Sequence, residues 1–479
     1  MSIIAQVPIN LDFMGLSKQY PLTNLPGKRS IDYLYYYCHE LVHIKAMYGD
    51  GEHPEYGEYF PMCSYQHREL HFHYNRFINY LLQAQVWAID GRFIRGVKCY
   101  GYKFTSMYSG QPLKQIVINN CVLSRNLSER KRQIEKEKKE KLEGHQHLIN
   151  WYLCRGLEID KSAATKWIEQ YKETKLRELD NENISKADQG IKSNKVIDTC
   201  EGWKYFLERI DRKALGYSDF TVDEFAGRFH GVLTFLKKEL RDFITFRGQK
   251  LVSVDIKNCQ PYLCTILLEP SFWSHMDSPG ASLIKLEEIN PRLYSEFSQS
   301  SEFSSITLLL SSEASTNSES SISKFRQLVW EGQFYEFLKD TISERFPRLA
   351  QRFDSRDKVK KEVLRILNCK NQDASKRYFA PSRFFTRLFP EVARVLSFIK
   401  AVDHKHLARI LQRVESTLVL GTICRRLTYE QPELPIFTIH DCIVTTVGNE
   451  EYVKAVIVDV MESKIGAAPR VKYEYWFPQ

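Results

Sequence analysis

The chain has 479 residues, and its 68 Lys and Arg against 59 Asp and Glu leave a net charge of +9. This length accommodates two or three domains with substantial cores, while a basic excess of that size is compatible with a phosphate-bearing partner without requiring one. Eleven cysteines without a Cys-x-x-Cys pair speak against a zinc ribbon or a disulfide framework, and neither a secretion signal nor a membrane-length apolar run is present, so a soluble cytoplasmic protein with no membrane partner is expected.

Residues 1–125 are dense in Tyr and His and read as a mixed α/β unit. The patterns predict helices over Tyr33 to Met47 and His73 to Leu82, a strand over Gln85 to Ile89, and two strands around Gly96 within Asp90 to Phe104. Helices followed by a basic hairpin outline a winged helix, in which Arg92, Arg95, Lys98 and Lys103 would meet phosphates, braced by Tyr100 and Tyr102; a plain hairpin on a small domain accounts for the pattern equally. The same unit contains His39-Glu40-Leu-Val-His43, the spacing of a zinc-binding helix. A third ligand would have to come from His53, His67, His71, His73 or Glu69, and a structural histidine pair is the commoner use of such a motif.

Residues 126–220 are charged and helical in pattern. Ser128 to Leu142 offers Glu135 with Lys139, and Glu137 with Lys141, at one-turn spacing, and Ile149 to Leu157 and Trp203 to Ile210 are amphipathic. Beyond 220 come Gly227-Arg228, Thr234 and Arg241, then Gly248-Gln-Lys leading into Leu251-Val-Ser-Val-Asp255, a β-branched run that ends on an acid with Gln260 shortly after. The serine-rich stretch 297–324 reads as a mobile loop, and Phe325 to Phe346 returns to helical periodicity. Arg356 and Lys360 open a helix that continues through Val363, Leu364 and Leu367. Gln412 and Glu415 share a face of another, and Thr438-Ile-His440-Asp441 presents a second strand-borne acid.

Two such carboxylates can share a pair of hard divalent cations, which clamp the attacking and leaving oxygens of an in-line phosphoryl displacement. Two cations one turn apart on a helix suit a triphosphate whose leaving pyrophosphate needs its charge neutralised.

Taken in order, Gly227-Arg228, Asp255, Arg356 with Lys360, and His440-Asp441 resemble the polymerase core of the family-A DNA polymerases and the single-subunit phage-type RNA polymerases, over roughly residues 220–479. The resemblance implies an α+β right-hand architecture over 221–479, with an antiparallel palm sheet, helical fingers and thumb, the 126–220 segment in the thumb's place and the N-terminal unit appended. It implies that Asp255 and Asp441 are catalytic and hold two Mg2+ ions, Mn2+ being an alternative. Arg356, Lys360, Gln260 and Leu364 would face a nucleoside triphosphate. Arg228, Thr234, Arg241, Gln412, Glu415 and His440 would face a DNA primer–template, with RNA as an alternative; His440 either contacts the primer terminus or buttresses its turn. Departures are informative: Gln260 stands where DNA polymerases usually carry glutamate, Leu364 and Asn368 replace the aromatics after the motif lysine, and Cys442 follows the second aspartate in place of glutamate. A glutamine can still exclude a ribose 2′-hydroxyl, which favours deoxynucleotides. No exonuclease acid cluster is recognisable, so addition without proofreading by a compact bacterial, phage or mobile-element enzyme is expected. The alternatives are a DNA-binding initiator or regulator with a degenerate palm, RNA synthesis, and untemplated addition.

Overall fold

The computed structural model describes residues 3–27, 30–46, 56–94, 98–182, 184–275, 283–313, 320–345, 353–371 and 380–477. Met47, His53, Arg95, Gly96, Phe346 and the centre of the serine-rich stretch lie outside them. Among the described residues every strand pairing is antiparallel, and no helix is long and apolar enough to cross a membrane.

The central strand, Gln249–Ile256, carries Leu251, Val252, Ser253 and Val254 buried in succession, as a strand covered on both faces requires. One edge pairs with Cys442–Thr446, which turns back onto Phe437–Ile439. The other edge is shared: its start pairs with Ile244–Phe246, which leads on to Leu157–Ile159, and its end pairs with Val471–Tyr475. Arg247 and Gly248 link two of these strands at φ 48° and 77°, the left-handed pair that a tight hairpin demands. Helices pack around this sheet in one continuous apolar cluster that runs from Leu142 to Trp476 and also takes in Ala46.

A second apolar cluster extends from Ala5 to Leu123. Here Ile3–Pro8 pairs with Leu113–Ile118, and the Ser30–Ala46 helix packs on it. Of the two strands expected around Gly96 only the second is present among the described residues, and its partner is the strand expected before Asp90. Trp87–Ile89 pairs with Gly101–Phe104, Phe60–Pro61 adds a third strand, and Ile94 and Lys98 form only an isolated bridge within the loop. Its lysines are engaged by carboxylates: Lys98 lies 3.5 Å from Asp90 and over the Tyr56 ring, and Lys103 lies 2.7 Å from Glu58 and over Tyr59. Tyr102 is buried in the core, and Tyr100 stacks on Phe93.

The His-Glu-x-x-His residues are bound into the helix's surroundings. His39 Nδ1 accepts from the Gln6 amide at 3.1 Å, His43 meets the Tyr205 ring edge-on, and Glu40 pairs with Arg130 at 3.3 Å and lies 3.6 Å from His67. The motif thus ties the first strand, the Cys121–Lys141 helix and the Lys186–Asp211 helix together. Burial holds the imidazoles of His39, His43 and His67 down at about 4, helped by the neighbouring His43, Arg209 and Arg130 respectively. A folded-state value below the ordinary 6.5 gives stability that is fully present above pH 6.5 and is lost as the pH falls towards 4. The thermal midpoint is therefore expected to be flat above about pH 7 and to fall steeply between about 6.5 and 4, at roughly 1.4 kcal/mol per unit of depression for each imidazole. His67→Phe should shallow that fall in calorimetric scans; an unchanged slope would remove His67 from the account.

Two expectations need correction. Ser301–Glu313 is a helix rather than a loop, because Ile306 and Leu310 are buried one turn apart, and the serines return their hydroxyls to the helix itself, as Ser305 does to the Ser301 carbonyl at 2.9 Å. Glu135 does not serve Lys139: its carboxylate accepts the amides of Tyr217 at 2.7 Å and Ser218 at 3.0 Å. In addition, Ile149 to Leu157 divides into the end of the Gln146–Leu153 helix and the first residue of a strand, and Phe325 to Phe346 falls into Ser321–Trp330 and Phe334–Arg345, separated at Gly332 with φ 75°.

Candidate active site

Asp255 is the penultimate residue of the central strand, opposite Cys442 on one side and Lys472 on the other. Asp441 occupies the two-residue turn, His440-Asp441, between Phe437–Ile439 and Cys442–Thr446. The register therefore brings the second acid beside the first. His440 opens that turn at φ 56°, a left-handed position that histidine tolerates better than β-branched residues do. His440→Gly should leave urea stability unchanged or slightly higher, whereas His440→Val should cost about 1–2 kcal/mol. Equal midpoints for the two variants would deny the strain.

The two carboxylates open on a cleft of about 500 Å³. Its lining includes Arg228, Gln260, Arg356, Lys360, Leu364, Gln412, Glu415 and His440, so these residues converge on Asp255 and Asp441 from elements far apart in sequence. Thr234 and Arg241 do not line it. The Thr234 hydroxyl closes a local turn with Gly231, and Arg241 donates to the Leu236 carbonyl at 3.3 Å within electrostatic reach of Cys442 and Glu474.

Gly227 explains how Arg228 reaches the cleft. It has φ 68°, and a Cβ there would lie 2.4 Å from the Arg413 guanidinium and 2.8 Å from Ser416 Oγ, so the backbone rides directly on the His406–Ser416 helix. Arg228 then grips Glu415 in a fork, Nε to Oε1 at 2.9 Å and Nη2 to Oε2 at 2.8 Å, and Gln260 Nε2 donates to the same carboxylate at 2.8 Å. Glu415 is 2% exposed, and burial raises its proton affinity against the pull of Arg228. Directly beyond it, Thr417–Ile423 is a π-helical stretch, a feature often found beside functional sites.

On the opposite wall Arg356 begins its helix by donating to Glu336 and to Asn258 Oδ1, both at 2.9 Å, with its guanidinium over the Tyr335 ring. Asn258 itself sits at φ 55° between the Asp255 strand and the next helix, so it couples that strand to the Arg356–Asn368 helix through one side chain. Lys360, one turn on, lies close enough to lower the proton affinity of Asp255.

Charge in the cleft is closely balanced. Burial and the Asp441 charge raise the Asp255 pKa, opposed by Lys472, whose Nζ stands 2.7 Å from Oδ2, and by Lys360. The His440 imidazole is pushed down to about 4 by desolvation, with Arg228, His230 and Arg241 adding to it, so it is neutral at pH 7. Burial lifts the Cys442 thiol to about 12, so the residue that follows Asp441 is a neutral thiol and offers no carboxylate-like ligand.

No protein-family model matches the chain, and no curated protein does. Among solved structures the POL domain of Pol1 from M. smegmatis, in complex with DNA primer-template and dNTP, is similar at TM-score 0.30 and 10% identity, over 70% of this chain and 70% of that chain.

The donor set decides what ion would suit the cleft. The Asp441 charge stands near enough to raise the proton affinity of Asp255, so the pair calls for positive charge between them, and hard oxygen donors suit magnesium or manganese rather than zinc. No group of three or more His, Cys, Asp or Glu side chains that could hold a metal ion is found among the described residues.

Lys472, Asn258, Tyr335 and Glu336 are cleft residues that sequence reasoning missed. Asn258 had a signal, a residue tolerant of left-handed backbone just after a strand-ending acid. Lys472 had none, because its place depends on the pairing of the last strand.

Proposed function

We propose that the protein is a template-directed nucleotidyltransferase of the family-A polymerase type that adds nucleoside triphosphates, preferably deoxy, to a primer 3′ end. The observation that carries this reading is the convergence of Asp255, Asp441, Arg356, Lys360, Gln260 and Arg228 on one cleft. Under it, residues 221–479 are palm and fingers, 126–220 serve as thumb, and 1–125 form an added DNA-binding unit.

Asp255 and Asp441 would hold the metal ions. When bound, these would acidify the primer 3′-hydroxyl and neutralise the triphosphate. Lys360, with Arg356 at the cleft edge, draws the triphosphate in and balances charge as pyrophosphate leaves. The Arg228–Glu415–Gln260 network fixes the wall beneath the sugar, with Gln260 held by its amide where it can crowd a 2′-hydroxyl. Neutral His440 offers hydrogen bonding, not charge, to the primer end.

The test is incubation with a labelled primer–template, magnesium and separate deoxy- and ribonucleotide pools. Extension from the deoxy pool, following the template, is expected. No extension with any template or pool would move the reading to a DNA-binding initiator or regulator that retains the fold without its chemistry.

A further inference from the structure

The cross-strand register places Lys472 directly opposite Asp255, and the Lys472 Nζ to Asp255 Oδ2 distance is 2.7 Å. The strand bearing it is firmly seated: the Trp476 indole donates to Ser253 Oγ at 2.8 Å, and the Lys257 amide donates to the Arg470 carbonyl at 2.7 Å. The side chain is not. Its relative exposure is 47% against 20% for Asp255, so the stem can swing while its backbone stays in register. The ammonium also lies within electrostatic reach of Asp441, so it supplies positive charge at both acids.

From this geometry we infer that Lys472 competes with divalent cations for Asp255, so that metal loads fully only when a triphosphate gives the displaced ammonium a new partner. The inference rests on the proposed two-metal reading. With the ammonium already on Oδ2 of Asp255, a divalent cation approaching that carboxylate meets a like charge and competes with it for the same oxygen. An ammonium ejected into a cleft with Lys360 and Arg356 raises the local positive charge unless phosphate enters with it. The cleft would thereby resist metal without nucleotide and accept both together, a coupling that is reciprocal by linkage.

The test is Mn2+ titration, followed by electron paramagnetic resonance, on the full chain and its Lys472→Met, Lys472→Arg and Asp255→Ala variants, with and without a deoxynucleoside triphosphate. Lys472→Met should bind Mn2+ about tenfold more tightly than the parent without nucleotide and should lose most of the gain that nucleotide brings, whereas Lys472→Arg should behave as the parent. Unchanged or weaker Mn2+ binding by Lys472→Met, with Asp255→Ala still losing the ion, would overturn the inference alone. Mn2+ binding that survives Asp255→Ala would overturn the two-metal reading instead. Should Lys472→Met fail to give the parent's circular dichroism, Lys472→Gln takes its place, with the same expected tightening and the same contrary result.

Discussion

Asp441→Ala and Asp255→Ala are each expected to lower the rate of single-nucleotide addition by at least about 10³-fold, equivalent to ~4 kcal/mol of lost transition-state stabilisation. Each substitution removes one of the two aspartates that open on the cleft, and the other acids of its described lining are engaged: Glu415 is bound in a fork by Arg228, Glu336 pairs with Arg356 at 2.9 Å, and Cys442 beside Asp441 is a neutral thiol. The loss should come without unfolding. Asp441 lies in a turn, and removing either acid relieves a like-charge pair, so thermal midpoints should stay level or rise. Pre-steady-state extension beside a thermal melt separates the two effects. A fall in rate that tracks a fall in midpoint would assign the aspartates to structure rather than chemistry.

Arg228→Met should destabilise the chain by about 3 kcal/mol at neutral pH, since removing one partner of a buried ion pair leaves the other charge uncompensated. Glu415 is 2% exposed, while the Arg228 side chain is 23% exposed, which sets the expectation at the low end of the range for buried pairs. The pH dependence identifies the cause. Burial already raises the Glu415 pKa above 4.5, and without Arg228 it rises further. A raised folded-state value means that stability is fully present below about pH 4.5 and is lost as the pH climbs through the folded value, so the penalty should be large at pH 7 and small near pH 4.5. Urea unfolding at the two pH values measures it, and adding Glu415→Leu should recover much of the loss. A penalty independent of pH would point to lost packing by the arginine stem.

The parts of the cleft that were legible in sequence are those whose signal is local. Asp255 at the end of an apolar β-branched run, and Arg356 with Lys360 one helical turn apart, have local patterns, and their order beside Gly227-Arg228 and His440-Asp441, as a resemblance, is what singled them out. What sequence could not reveal is the partner each side chain finds. Arg228 and Glu415, both read as nucleic-acid contacts, spend their charges on each other, and Arg241 and Thr234 lie away from the cleft lining. The serine-rich stretch misled for a related reason: composition argued for a loop, but two buried apolar residues one turn apart and hydroxyls that bond within the helix were sufficient to order Ser301–Glu313. Lys472 was illegible because an antiparallel register between the central strand and the last one is a tertiary fact.

The most direct test of the central claim is a crystal structure of the protein with Mn2+, a primer–template and a non-hydrolysable deoxynucleotide, read by anomalous scattering. Two manganese peaks about 3.5–4 Å apart, touching both Asp255 and Asp441 with the triphosphate toward Lys360 and Arg356, are predicted. Manganese absent from these carboxylates while nucleic acid is bound elsewhere on the molecule would contradict the account.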